Sequence, residues 1–197
     1  MGELGERFSL VLAASAAGDP NAFAELWRAT HPVLLRYLKV VCGDQAEDVA
    51  SETWLKAVRA LPSFDGDEQA FRGWLMVVAR NHVRDIGRRA ARRPEALTPD
   101  PPPPVRDTAR DTADEALERL GTERALRLVA RLPAAQAEMV ALRVIVGLEP
   151  AEVGRIVGRS PGAVRVAVHR ALGTLAEMLT GTVVTAVTEE ALIRRHG

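Results

Sequence analysis

Apolar residues recur along this 197-residue chain with helical spacing, and no segment alternates apolar and polar positions as a half-buried strand does. The first clear start signal is Asp19-Pro20, a capping carboxylate followed by proline at the first helical position. The helix it opens is expected to carry Phe23, Leu26 and Trp27 inward. A second helix is predicted from about Asp44 to Leu61, stopped by Pro62, with Ala50, Trp54 and Ala57 on its inner face. After the loop Ser63-Phe64-Asp65-Gly66-Asp67, a third helix is predicted from about Glu68 to Ala91. Its core face holds Phe71, Leu75, Val78, Ala79, His82 and Ile86, with Trp74 at the edge. Further helices are predicted near 112–131, 134–146, 150–157 and 161–179, punctuated by Pro133, Gly147, Pro150 and Gly158.

Between the two groups of helices lie Pro94, Pro99 and the run Pro101 to Pro104. Proline blocks helix and removes backbone donors, so this stretch is expected to be an extended, semi-rigid linker. The expected fold is therefore all-α. Two small helical domains, 1–92 and 112–180, are joined by a Pro-rich acidic linker over 93–111, and a tail over 181–197 reads as a short helix.

Composition agrees: 47% of residues are apolar but only 4% aromatic, and Ala, Leu and Arg favour helix. The single cysteine, Cys42, cannot form an internal disulfide and is expected to be a half-buried thiol at a helix end. No Cys/His cluster has metal-ligand spacing, so neither a metal nor a cofactor is expected. No apolar run is long enough for a membrane span, and a cytoplasmic location is expected. The net charge of zero hides alternating blocks. Residues 44–68 carry seven acids against two bases, and 72–93 carry seven arginines against one acid. Residues 94–118 are acidic again, and 119–180 hold nine arginines and five glutamates. Blocks of opposite sign suggest several partners of different charge.

The sharpest local pattern runs from Leu132 to Leu179. Pro150 opens a short helix with Val153, Ile156 and Val157. Gly158-Arg159-Ser160 makes a tight turn, Ser160 can cap the next helix, and Pro161 fits its first position. That helix places Val164, Val168, Ala171, Leu172 and Leu175 on one face, and Arg165, Val166, His169 and Arg170 on the other. This is a helix-turn-helix whose second helix suits a major groove, with Arg165 positioned for guanine or phosphate and Val166 for a thymine methyl. An antiparallel helix pair with a solvated arginine face is the plainer alternative.

In the first domain, Arg80, Arg84 and Arg88 recur every four residues with Asn81 beside them, a stripe suited to a nucleic-acid backbone or to solvent. On the second helix Asp48, Ser51, Glu52 and Leu55 share a face, an acidic pair beside an exposed leucine that suits a protein partner. Two carboxylates could serve acid/base chemistry, but no nearby histidine, phosphate loop or nucleophile motif accompanies them, so an enzyme is not expected. A stand-alone DNA-binding regulator and a protein adaptor remain open on these residues alone.

The run from Asp48 through Ala57, then Phe71-Arg72-Gly73-Trp74-Leu75, then Ala79-Arg80-Asn81 with Asp85 and Arg88-Arg89, resembles region 2 of the extracytoplasmic-function (ECF) sigma factors. Leu132 to Gln136, Ser160 to Arg165 and His169-Arg170-Ala171 resemble their region 4. The resemblance covers about 20–92 and 120–180 in the right order. It implies a bacterial RNA polymerase subunit that directs initiation at particular promoters. Carried over, Asp48, Glu52 and Leu55 would face core polymerase. Arg80, Asn81, Arg84 and Arg88 would meet the minus 10 strand, and the loop with Phe64, Asp65 and Asp67 would hold a flipped base. Arg159, Ser160, Arg165, Val166, His169 and Arg170 would contact minus 35 duplex. Core polymerase and promoter DNA are the expected partners, and an anti-sigma protein is a candidate third. Ser51, Val166 and Ala167 depart from the common pattern, where glutamine, serine and a basic residue are usual. The weakly basic recognition helix suggests dependence on polymerase for affinity. A hinge at the linker would allow the two domains to pack together and mask both DNA faces.

Overall fold

The computed structural model describes the backbone of residues 4–92 and 113–193, and the side chains of 4–89, 91 and 120–180. The proline linker and the last residues of the tail lie outside the described residues. Every regular element among the described residues is helical.

The first helix, α1 (Phe8–Ala16), follows a short turn and was not foreseen from the apolar pattern. Its residues are apolar on nearly every side, so no stripe marks its phase. Phe8, Val11 and Leu12 are nonetheless buried. The Asp19 signal is realised: its carboxylate accepts from the N–H groups of Asn21 and Ala22 and opens α2 (Pro20–Cys42). This helix is the axis of the molecule. It packs against α1, against α3 (Ala46–Ala60) and against α4 (Glu68–Arg92). Leu26, Leu34, Tyr37 and Leu38 on α2 are fully buried. Trp27 is not turned inward as expected; it is 38% exposed and stacks on His31 with ring centroids 4.2 Å apart. Leu26, one residue earlier, is turned inward as expected.

The second half contains α5 (Ala113–Ala130), α6 (Ala134–Val140), a π-helical segment (Ala141–Ile145), α7 (Pro150–Val157) and α8 (Pro161–Ile193). The expected helix over 134–146 thus changes register partway, with Val146 N–H bonding to Ala141 O five residues back. The tail is not a separate short helix, because α8 runs unbroken past Gly173 and Gly181.

The two halves pack together. Helix α2 touches α5, α6 and the π segment, and the buried side chains of both halves form one hydrophobic cluster. Leu142, Val146 and Leu148 are buried, and a Cβ on Gly73 of α4 would lie 3.8 Å from Leu148 Cδ2. Burying each such side chain contributes roughly 1.5–3 kcal/mol.

Candidate nucleic-acid interface

The helix-turn-helix is built by three local devices. Glu149 caps α7 in a reciprocal capping box with Glu152. Gly158 ends it in the left-handed region at φ 75° and ψ 43°. Ser160 Oγ then accepts from Ala163 N–H at 3.2 Å and starts α8. A fourth device has no obvious sequence signal. Gly154 lies inside α7, where a Cβ would stand 2.5 Å from the carbonyl oxygen of Arg159. Only glycine lets the turn fold back this closely, and Gly154 O in turn accepts from both Gly158 and Arg159 N–H.

Val164, Val168 and Ala171 of α8 are buried and Leu175 is half-buried, as the spacing predicts. Leu172 departs from that face and is 45% exposed. It follows Ala171 by one position, and only one of two adjacent helical residues can point straight into the core. Arg159, Ser160, Arg165, Val166, His169 and Arg170 are all exposed together on one side of the turn and helix. This gathers the expected duplex-reading residues into one surface.

The arginine stripe of α4 is divided. Asn81, Arg84 and Arg88 are exposed, and Arg88 pairs with Asp85 on the same helix. Arg80 turns instead into the junction with the second half. Its Nε and a terminal nitrogen donate to the two carboxylate oxygens of Glu138 on α6, at 2.6 and 3.2 Å. Its other terminal nitrogen donates to the carbonyl of Ile156 at 2.7 Å. The hydrogen bond that Arg80 donates to Glu138 raises the Arg80 pKa above its ordinary value, against the opposing effect of burial. Tyr37, the sole tyrosine, donates its hydroxyl to Glu138 Oε1 at 3.3 Å. Burial and the neighbouring Glu138 carboxylate both push the Tyr37 pKa upward, so it stays a neutral donor. Glu138 and Tyr37 gave no signal in the sequence, since a lone acid on a helix and a core tyrosine are common.

Before α4, Phe64 is half-buried against Phe71 and Trp74, with centroids 5.3 and 5.2 Å away. Gly66 has φ 155°, and a Cβ there would meet Ala70 Cβ at 3.0 Å. Asp67 Oδ1 accepts from Ala70 N–H at 2.7 Å and caps α4, while Asp65 is exposed. The loop is therefore held from below by aromatics, with its acidic edge outward.

On α3 the two faces separate as expected. Ala50, Trp54 and Ala57 are buried, whereas Asp48, Ser51, Glu52 and Leu55 are exposed, Leu55 by 54%. Val58, 45% exposed, extends the apolar end of this face. Behind it, Trp54 Nε1 donates to His31 Nδ1 at 3.2 Å, and burial lowers the His31 pKa against the raising effect of Glu47. Lys56 Nζ lies 2.8 Å from His82 Nδ1, and burial followed by the Lys56 charge lowers the His82 pKa. Cys42 is half-buried at the end of α2, and burial pushes its thiol up to about 11. Among the described residues no cluster of His, Cys, Asp and Glu has the arrangement of a metal site, and no helix is long and apolar enough to cross a membrane.

Residues 26–93 match the model of Sigma-70 region 2, and residues 122–175 match that of Sigma-70 region 4. The chain is 37% identical over 179 residues to the ECF RNA polymerase sigma factor SigD of Mycobacterium tuberculosis, covering 87% of this chain and 83% of that one. It is 37% identical over 167 residues to ShbA, an ECF RNA polymerase sigma factor of Streptomyces griseus, covering 80% and 87%. In fold it is similar to CnrH solved with the cytosolic domain of CnrY, at TM-score 0.60 and 23% identity, covering 89% of this chain and 99% of that one. It is also similar to the sigma factor RpoE of Bartonella quintana solved with the anti-sigma factor NepR, at TM-score 0.56 and 23% identity, covering 80% and 96%. Two region models in order, and relatives at this identity matched over more than four fifths of their length, place the protein: the chain belongs to the ECF RNA polymerase sigma factors.

Proposed function

We propose that this sigma factor works as a clamp with two DNA grips and one polymerase grip, set out as domains over 1–92 and 112–180. The C-terminal domain anchors on minus 35 duplex through Arg159, Ser160, Arg165, Val166, His169 and Arg170. The N-terminal domain captures the opened minus 10 strand with Arg80, Asn81, Arg84 and Arg88. The loop carrying Phe64, Asp65 and Asp67 receives an unpaired base. Opening is then driven by binding the single strand rather than by chemistry. Aromatics are scarce, and the ring of Phe64 is committed to Phe71 and Trp74. Capture therefore leans on arginine–phosphate pairs more than on stacking, which is worth about 1–3 kcal/mol per base where it occurs.

Core polymerase docks on α3 through Asp48, Glu52 and Leu55. The observation that carries this reading is the separation of faces. An acidic, apolar-tipped face on α3 and a basic recognition face on α8 are both exposed, in different domains. A stand-alone repressor has no need of the first. An anti-sigma protein is the third proposed partner, because RpoE of Bartonella quintana, similar in fold, was solved with one. The test is co-purification of core polymerase with the Asp48→Arg, Glu52→Arg double variant. Loss of the complex with helicity retained is expected; undiminished co-purification would withdraw the assignment of α3.

A further inference from the structure

The geometry points to Glu138 as an internal phosphate mimic: it holds Arg80 in a closed form of the free protein and must be displaced before Arg80 can take a DNA strand. The inference rests on the reading of Arg80 as a strand contact given above. A carboxylate on a guanidinium and a phosphate on a guanidinium use the same paired N–H donors. Here both oxygens of Glu138 are engaged, at 2.6 and 3.2 Å from Arg80 nitrogens. The side chains of the pair are only 13% and 16% exposed. Tyr37 holds the carboxylate from behind, and Ile156 O takes the remaining terminal nitrogen of Arg80. Each of the three guanidinium nitrogens of Arg80 thus donates to a group of the second domain.

The consequence is selective. Gln69 Nε2 donates to Glu152 at 2.7 Å, so α7 lies across the same side of α4 and closes a crevice of about 300 Å³ beside Trp74, Val77 and Ile156. Yet the recognition face of α8 and the acidic face of α3 stay exposed in this arrangement. Duplex and polymerase can be engaged from the closed form, while Arg80 becomes available only when α6 and α7 move away. The lock places strand capture after docking.

The test uses the full chain in a Cys42→Ala background with spin labels at Ser9→Cys and Glu177→Cys, both exposed. Distance distributions are read by double electron–electron resonance, and binding of fluorescein-labelled oligothymidylate by anisotropy. The unaltered lock is expected to give one narrow distance distribution. Glu138→Gln is expected to shift the open-to-closed ratio on the order of tenfold and to tighten oligothymidylate binding by a similar factor. The charge swap Arg80→Glu with Glu138→Arg should restore the narrow distribution without tightening oligothymidylate binding, which excludes a mere folding defect. An unchanged distance distribution in Glu138→Gln overturns the lock, and opening without tighter binding overturns the competition. Wild-type promoter-dependent transcription by Arg80→Gln would overturn the strand-contact reading itself, which separates the two failures.

Discussion

The two basic helices of this protein look alike in sequence and differ in the fold. Both α4 and α8 carry arginines at helical spacing opposite a hydrophobic stripe. On α8 Arg165, Val166, His169 and Arg170 are all exposed, presented by a helix whose start is fixed by Ser160 and Pro161. On α4, Arg84 and Arg88 are exposed while Arg80, one and two turns earlier, is drawn into a carboxylate of the other domain. The lesson is that a cationic stripe reports capacity, not availability. Its charge can be satisfied within the chain, and then binding must compete with an internal partner rather than with water. The masking expected from a hinge between the domains is therefore one-sided.

The largest expected effect comes from breaking the α8 side of this comparison at its base. Gly154→Ala drives a methyl into the Arg159 carbonyl, with a 2.5 Å approach that no rotamer can relieve. A loss of about 2–3 kcal/mol is expected from urea unfolding, together with loss of duplex binding because the angle between α7 and α8 changes. Equal stability would mean that the turn can open enough to admit the methyl group. Next, Arg165→Ala should weaken recognition at one upstream position by about 1–3 kcal/mol if the guanidinium reads guanine. A uniform loss over all sequences in a binding-selection assay would make it a phosphate contact and bring it closer in kind to Arg80.

On the α4 side, Tyr37→Phe removes one hydrogen bond to Glu138 while preserving the ring. A loss of about 0.5–1.5 kcal/mol is expected in thermal unfolding, and a smaller opening than Glu138→Gln produces. The smallest effect is on pH. Burial lowers the His31 pKa below its ordinary value of 6.5, so the folded state binds its proton less readily than the unfolded chain. This contribution to stability is complete above the unfolded value and is lost as pH falls through it toward the folded one. The urea midpoint should drop between pH 7.5 and 5.5, and His31→Gln should flatten that slope. A slope as steep in the variant would place its origin elsewhere.

Much of this was legible because its causes are local. Asp19-Pro20 and Ser160-Pro161 each join a capping oxygen to a proline at the first helical position, Pro150 holds the same position in α7, and each opens a helix in the structure. The exposed face of α3 was legible for the same reason, since burial of Ala50, Trp54 and Ala57 dictates where Asp48 and Glu52 point. Other features depend on distant parts of the chain. Phe8 to Ala16 lacks a polar face, so its helix had no visible phase, and packing on α2 and on Phe71 of α4 defines it. Gly154 looks like a poor helix residue until the returning carbonyl is in place. Arg80 and Glu138 are 58 positions apart, and no spacing rule joins them across a linker. Arg80 was found as a candidate by its residue type, but its present partner was not.

The measurement that bears most directly on the account is transcription in vitro, with bacterial core polymerase supplied with or without this chain on a genomic promoter library. Promoter-specific initiation that requires the chain, and that is lost in the Asp48→Arg, Glu52→Arg variant, is the predicted result. Initiation at no promoter, with duplex binding intact in the absence of polymerase, would contradict it and leave a DNA-binding protein without a polymerase grip.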